Sequence, residues 1–237
     1  MITISQLRKQ FGQTTACDIP QLSIQQGELV GLVGNNGAGK TTLFRLLLDL
    51  LKPDGGSVVY QFPSAAPINP QQSEDWKNFT GAYIDESFLI DYLTPEEYFA
   101  FLGRICGMSS AAVAERQQEL EPLTGGEVFG QKKLIRNLSA GNRQKVGIIA
   151  ALFNRPQLLI LDEPFNFLDP TSQSQLKHTL ADYCRETGAT VLISSHNLQH
   201  TVDIATRILL LERGVIVRDL PNAGGSAAAE LEAYFEV

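Results

Sequence analysis

Short apolar runs that do not alternate with polar residues recur along the chain: the stretch from Glu28 to Gly34, Leu158-Leu-Ile-Leu161, and Thr190-Val-Leu-Ile193. A strand covered on one face alternates, whereas one buried on both faces does not, so each run predicts an interior strand of a parallel sheet. After the first run, Thr41 to Leu51 carries leucines at helical spacing until Pro53 and Gly55 stop it. That order is strand, glycine loop, helix. From Leu93 to Ala150 the character changes. Thr94-Pro95-Glu96-Glu97 starts a helix by its cap, its proline at the first helical position and its early acids, and more helical stretches follow. A helical insertion at about 87–150 therefore interrupts an α/β core. Pro63 to Trp76, rich in Pro, Ser, Gln and Asn, reads as a loop or a poorly ordered excursion. Pro221 to Gly225 reads as a linker to a short helix, Ala227 to Phe235. The expected organisation is one domain over 1–220 followed by linker and helix over 221–237.

Composition narrows the partners more than the fold. With 237 residues and 43% hydrophobic content the chain can bury a core, yet no apolar run approaches the roughly 20 residues that span a bilayer. Met1-Ile2-Thr3-Ile4 lacks a basic region, a long apolar stretch and a cleavage site, so cytosolic residence is expected. The formal net charge of -7 repels nucleic acid at long range, and no direct nucleic-acid partner is expected. Cys17, Cys106 and Cys184 are widely spaced, odd in number and without CxxC, which suggests neither disulfides nor zinc.

Chemistry enters at the glycine loop. Gly34-Asn35-Asn36-Gly37-Ala38-Gly39-Lys40-Thr41 fits G-x-x-x-x-G-K-[ST] between a strand and a helix. Its glycines let backbone N–H groups converge on phosphate oxygens, and the helix N-terminus adds its positive end. Lys40 is expected at the β and γ phosphates of ATP, the Thr41 hydroxyl on Mg²⁺, and Thr42 among the ATP contacts. A second Mg²⁺ anchor belongs at the end of an apolar strand, where Asp162 stands. Glu163 follows it and leaves the strand in a different direction, toward the γ-phosphate, as general base for water.

The next motifs say which kind of nucleotide hydrolase this is. Leu138-Ser139-Ala140-Gly141-Asn142-Arg143-Gln144 resembles the signature of ABC ATPases, shortly before the Walker B strand. His196 resembles the H-loop histidine, Leu168-Asp169 the D-loop, and Phe11 the A-loop aromatic. From about Thr3 to Arg218 the chain is similar to ABC transporter nucleotide-binding domains. The resemblance implies a P-loop NTPase core, mostly parallel sheet flanked by helices, with an N-terminal antiparallel β subdomain and an inserted α-helical subdomain. It implies that Phe11 stacks on adenine and that His196 positions water beside Glu163. It also implies that Ser139, Ala140, Gly141 and Asn142 face ATP held by a second ABC ATPase subunit, in a head-to-tail dimer. A single His is more often structural, and an isolated Phe more often core; only the motif order reverses that. His200, four residues after His196, is expected to be a solvated coincidence.

Three departures from the family pattern stand out. Glu86 occupies the place of the Q-loop glutamine, where a carboxylate can also ligate Mg²⁺. Asn142 replaces the common signature glutamine, and bulky Phe167 stands where the D-loop is usually small, at a close approach between subunits. The implied partners are transmembrane permease subunits that bring the chain to the cytoplasmic face of a membrane, with Phe88, Leu89 and Tyr92 as contacts. The aromatics from Tyr98 to Phe101 fit equally a role in the helical segment's own core. The wording of residues 88–101 and the closing Leu231-Glu-Ala-Tyr-Phe235 look similar to ATPases of ABC-2 type exporters. Two other roles remain in view: a soluble ABC ATPase of an assembly process, and a regulatory subunit without hydrolysis, against which Glu163 argues.

Overall fold

The computed structural model describes residues 1–235. In chain order the elements are β1 (Ile2–Phe11), β2 (Thr14–Ile24), β3 (Leu29–Val33), α1 (Lys40–Leu47), β4 (Gly55–Tyr60), β5 (Thr80–Tyr83), α2 (Pro95–Ile105), α3 (Ser110–Leu120), α4 (Ala140–Leu152), β6 (Leu158–Leu161), α5 (Pro170–Thr187), β7 (Thr190–Ser195), α6 (Leu198–Val202), β8 (Arg207–Glu212), β9 (Val215–Pro221) and α7 (Ala228–Phe235). The described residues form an antiparallel sheet ordered β2-β1-β4 and a larger one ordered β5-β6-β7-β3-β8-β9. In the larger sheet only the β8–β9 pair is antiparallel.

The three apolar runs become β3, β6 and β7, adjacent at the centre of that sheet. Their side chains divide by parity between two cores, which is why no polar residue interrupts them. Leu29, Val33, Leu159, Leu161, Val191 and Ile193 join the core shared with the helical segment. Val30, Leu32, Leu158, Ile160 and Leu192 join the other, beneath α1 and the small sheet.

Helix α1 ends at Leu47, short of the expected Leu51, because Asp49 takes a left-handed backbone with φ 51°. The Tyr60 hydroxyl, from β4, donates to the carbonyl of Leu47 and satisfies one acceptor that the ended helix leaves open. The start of α2 is as expected: Thr94 accepts from the Glu97 N–H, and the Glu97 carboxylate accepts from the Thr94 N–H. Tyr98 and Phe99 are buried in the core, whereas Phe88, Tyr92 and Phe101 are exposed.

The segment 63–76 has little regular structure, but it is anchored. Ile68 exchanges two backbone hydrogen bonds with Tyr60, both 2.8 Å, and Phe62, Ile68 and Trp76 are buried. The stretch 221–225 is likewise fastened to the body. Buried Asn222 donates to the carbonyls of Val202 (2.8 Å) and Ala205 (2.7 Å), and Leu231 of α7 enters the helical-side core. Among the described residues no helix is long and apolar enough to cross a membrane.

Candidate functional site

The loop 34–39 joins the end of β3 to α1. A Cβ on Gly34 would meet the Leu211 carbonyl at 2.3 Å, and one on Gly39, at φ 107°, the Ala16 carbonyl at 2.4 Å. Glycine is therefore required where the loop threads between β8 and β2. Asn35, Asn36 and Gly37 remain exposed, while Ala38 is buried beneath them. Gly39 caps α1 without a side-chain acceptor, and the first turn holds no acid. The helix thus begins with unsatisfied N–H donors and an uncompensated positive end, the chemistry that suits a phosphate.

Lys40 is buried, and its ammonium donates to the carbonyls of Gly34 (2.6 Å) and Asn35 (3.3 Å). It also lies 3.5 Å from the Glu163 carboxylate. The Thr41 hydroxyl donates to one oxygen of Asp162, and the Ser194 hydroxyl to the other. Half-buried Thr42 follows on α1. Burial raises the pKa of the Asp162 carboxyl, against hydrogen bonds from Ser194 and Thr41 that lower it. Thr41 and Asp162 thus present hard oxygens side by side, a donor set suited to Mg²⁺. Among the described residues no group of three or more His, Cys, Asp or Glu could hold a metal alone.

Glu163 has a left-handed backbone, φ 47°, and is held through its N–H, its carbonyl and one carboxylate oxygen. Its N–H donates to Ser194 Oγ at 2.8 Å, and its carbonyl accepts from Gln144 Nε2 at 3.1 Å and from the Asn166 N–H at 3.2 Å. Its Oε2 lies 2.8 Å from His196 Nδ1 and accepts from the His196 N–H at 3.3 Å.

Ser139 is the N-cap of α4, accepting from the Asn142 N–H. With Asn142 it lines a hollow that includes Glu127, Gln131 and Lys133 and no residue of the glycine loop. Ala140 instead lines a hollow with Asp162, Glu163 and Phe167. Gly141 is required by contact: a Cβ there would sit 2.6 Å from the Phe167 carbonyl. Phe167 itself is left-handed, φ 60°, and 73% exposed. Asp169 caps α5, accepting from the N–H groups of Thr171 and Ser172, both 3.0 Å. Hydrogen bonds from Ser172 lead in holding its carboxyl below the usual range.

Phe11 ends β1 at the tip of the hairpin, 52% exposed, with the Lys9 ammonium 5.6 Å from its ring centre. The hairpin's Ala16 is the residue that touches Gly39. Glu86 lines the same hollow as Asp162 and Glu163, but its Oε2 is 2.5 Å from Arg143 Nε on α4 rather than beside Thr41. His200 departs from the expectation of a solvated residue. Its ring packs on Phe165, centroids 4.9 Å apart, and its Nδ1 is buried. Burial lowers its pKa, with Lys177 adding to the effect.

Ser194, Gln144 and Arg143 were not singled out as functional from sequence. Ser194 carried a weak signal, its place two residues before His196 on a strand end. Gln144 and Arg143 stand in the signature-like stretch 138–144, but that stretch does not point to their partners, which lie far away along the chain.

A parallel sheet with a glycine loop at the end of its central strand, facing an acidic pair on the next strand but one, defines a P-loop ATP-binding and ATP-hydrolysing domain. The ABC transporter family model matches residues 17–166, and the chain belongs to that family as an ATP-binding subunit of a transporter. It is 35% identical over 217 residues to the probable sulfate/thiosulfate import ATP-binding protein CysA of Chlorella vulgaris, covering 92% of this chain and 89% of CysA. It is 33% identical over 221 residues to the bacitracin transport ATP-binding protein BcrA of Enterococcus faecalis, covering 93% and 69%. The fold superposes on dimeric MJ0796, a bacterial ABC transporter cassette, with TM-score 0.83 and 25% identity, over 94% of this chain and all of that one.

Proposed function

We propose that this subunit powers transport by binding ATP with Mg²⁺ between its own glycine loop and the signature of a second subunit, and by hydrolysing it there. The observation that carries this is Glu163, held by His196 and 3.5 Å from Lys40, beside the Thr41–Asp162 pair, while Ser139 opens on a different hollow. Each chain then holds halves of two sites, and a head-to-tail dimer completes both. Lys40 and the N-terminus of α1 receive the β and γ phosphates. Thr41 and Asp162 would hold Mg²⁺, which when bound would supply positive charge to offset that of the phosphate oxygens. Glu163 takes the proton from water, and His196 keeps its carboxylate aimed. Phe11 stacks on adenine, and Asp169 fixes the turn that brings Phe167 to the subunit contact.

A groove lined by Leu48, Leu50, Trp76, Phe88, Leu89 and Tyr98 receives a cytoplasmic helix of the membrane subunit. Exposed Tyr92 stands on the segment that follows Phe88 and Leu89. That docking is what would hold the chain at the cytoplasmic face. Direction is read as export, from the similarity of residues 88–101 and 231–235 to ABC-2 type exporters; the BcrA relative is a transport protein by name, with no direction stated. CysA, an import protein by name, makes transport assays in oriented vesicles the arbiter.

The test is Glu163→Gln, followed by gel filtration with and without ATP and by phosphate release. An ATP-dependent dimer without turnover is expected. Hydrolysis at the parent rate would remove the base assignment.

A further inference from the structure

Helix α4 does more than present the signature at its N-terminus. One turn in, buried Gln144 stands between two partners from other elements. The Tyr83 hydroxyl, at the end of β5, donates to Gln144 Oε1 at 2.8 Å, and Gln144 Nε2 donates to the Glu163 carbonyl at 3.1 Å. The orientation of this amide follows from chemistry. A backbone carbonyl only accepts, so the NH₂ end must face Glu163, which leaves the oxygen to accept from the phenol.

Two neighbouring features are built around the same contact. A Cβ on Gly147, one turn further along α4, would lie 2.1 Å from the Tyr83 ring, so the helix carries its glycine where the ring lies against it. The Tyr83 carbonyl accepts from the Asp162 N–H at 2.8 Å. Tyr83 therefore holds the backbone of Asp162 directly and that of Glu163 through Gln144. Glu163 needs such support, because a left-handed backbone at a non-glycine residue is strained and persists only where its surroundings impose it.

We propose that Gln144 is a positioning residue for Glu163, with Tyr83 fixing the amide, so that the helix bearing the signature also aims the base of the chain's own ATP site. A tilt of α4, as when Ser139 meets nucleotide on the second subunit, then shifts Gln144 and with it the Glu163 carbonyl. The two half-sites of one chain are thereby linked through a single helix. This rests on the proposed role of Glu163 as base.

The experiment uses the full chain. Gln144→Met keeps the length and removes both hydrogen bonds, and Tyr83→Phe removes one hydroxyl. Steady-state ATPase, affinity for a fluorescent ATP analogue and Tm are measured for each, alone and combined with Glu163→Gln. Gln144→Met should lower kcat about 10- to 100-fold, with KM and nucleotide affinity within about twofold of the parent. Tyr83→Phe should follow with a smaller loss. In the Glu163→Gln background, where turnover is already absent, neither should move nucleotide affinity by more than about twofold.

Parental kcat in both variants, with Glu163→Gln inactive, would overturn the positioning role alone. A larger loss of nucleotide affinity in the Glu163→Gln background would show that Gln144 acts by another route and overturn it too. Parental turnover in Glu163→Gln would overturn the base assignment and this inference together. If Gln144→Met does not fold, Tyr83→Phe, a single-atom deletion, decides.

Discussion

His196 grips one carboxylate oxygen of Glu163 twice, with Nδ1 at 2.8 Å and with its backbone N–H at 3.3 Å. The backbone contact survives any side-chain change at 196, so His196→Ala should loosen the carboxylate without releasing it. The expected result is a fall in kcat of about 100-fold with ATP affinity nearly unchanged, read by steady-state ATPase and nucleotide titration. A parental kcat would mean that the ring has no part in aiming Glu163.

Asp162 links stability to pH. Burial leads in raising its pKa, so the folded chain holds this proton more tightly than the unfolded chain does. Its contribution to stability therefore becomes more unfavourable as pH rises from the ordinary carboxylate range through the raised folded pKa, and stays so above it. Asp162→Asn keeps oxygen and nitrogen partners for the Ser194 and Thr41 hydroxyls and removes the buried charge. Without nucleotide or Mg²⁺ its Tm should exceed the parent's at pH 7, and the gap should close as pH falls toward the ordinary carboxylate range. Turnover should be lost. A lower Tm at neutral pH would contradict the buried-charge account.

Glu86 is engaged by Arg143, which also donates to the Leu138 carbonyl just before the signature serine. Glu86→Gln should leave the Mg²⁺ dependence of hydrolysis in place. Because the pair is partly exposed, it should cost about 0–1 kcal/mol of stability. A shifted Mg²⁺ midpoint in an ATPase titration would return the carboxylate to the metal.

Phe11 is solvent-exposed, so its removal leaves no cavity. Phe11→Ala should weaken ATP binding by about 3- to 10-fold, the worth of one aromatic stack, with Tm unchanged. Phe11→Trp should restore the affinity. Equal binding by Phe11→Ala would place adenine elsewhere.

Much of this is legible in the amino-acid sequence. The Thr94 capping box and the apolar runs of β3, β6 and β7 depend on neighbours within a few residues or on burial of both faces, and they took the form that the pattern implied. The end of α1 was not legible, because a left-handed Asp49 is a backbone choice that leucine spacing does not reveal. Nor was the docking of 221–225, which hangs on one buried amide, Asn222, reaching carbonyls at the end of α6 and just beyond it. For His200 the sequence pattern gives no sign of Phe165, whose ring packs against it from the turn before α5.

Local chemistry is written in the order of the chain: a loop whose glycines leave room for phosphate, a lysine and threonine opening a helix, and an acidic pair closing an apolar strand. Those features are contiguous, and their bonding requirements are met within a turn or two of chain. Which of them meet is set by the fold. The sheet order β5-β6-β7-β3 brings the ends of parallel strands together, so that Tyr83, Gln144 and Glu163, separated by 61 and 19 residues, share one hydrogen-bonded path. Hydrogen bonds extend about 3 Å and carry no memory of sequence separation, and strand order is what selected these partners.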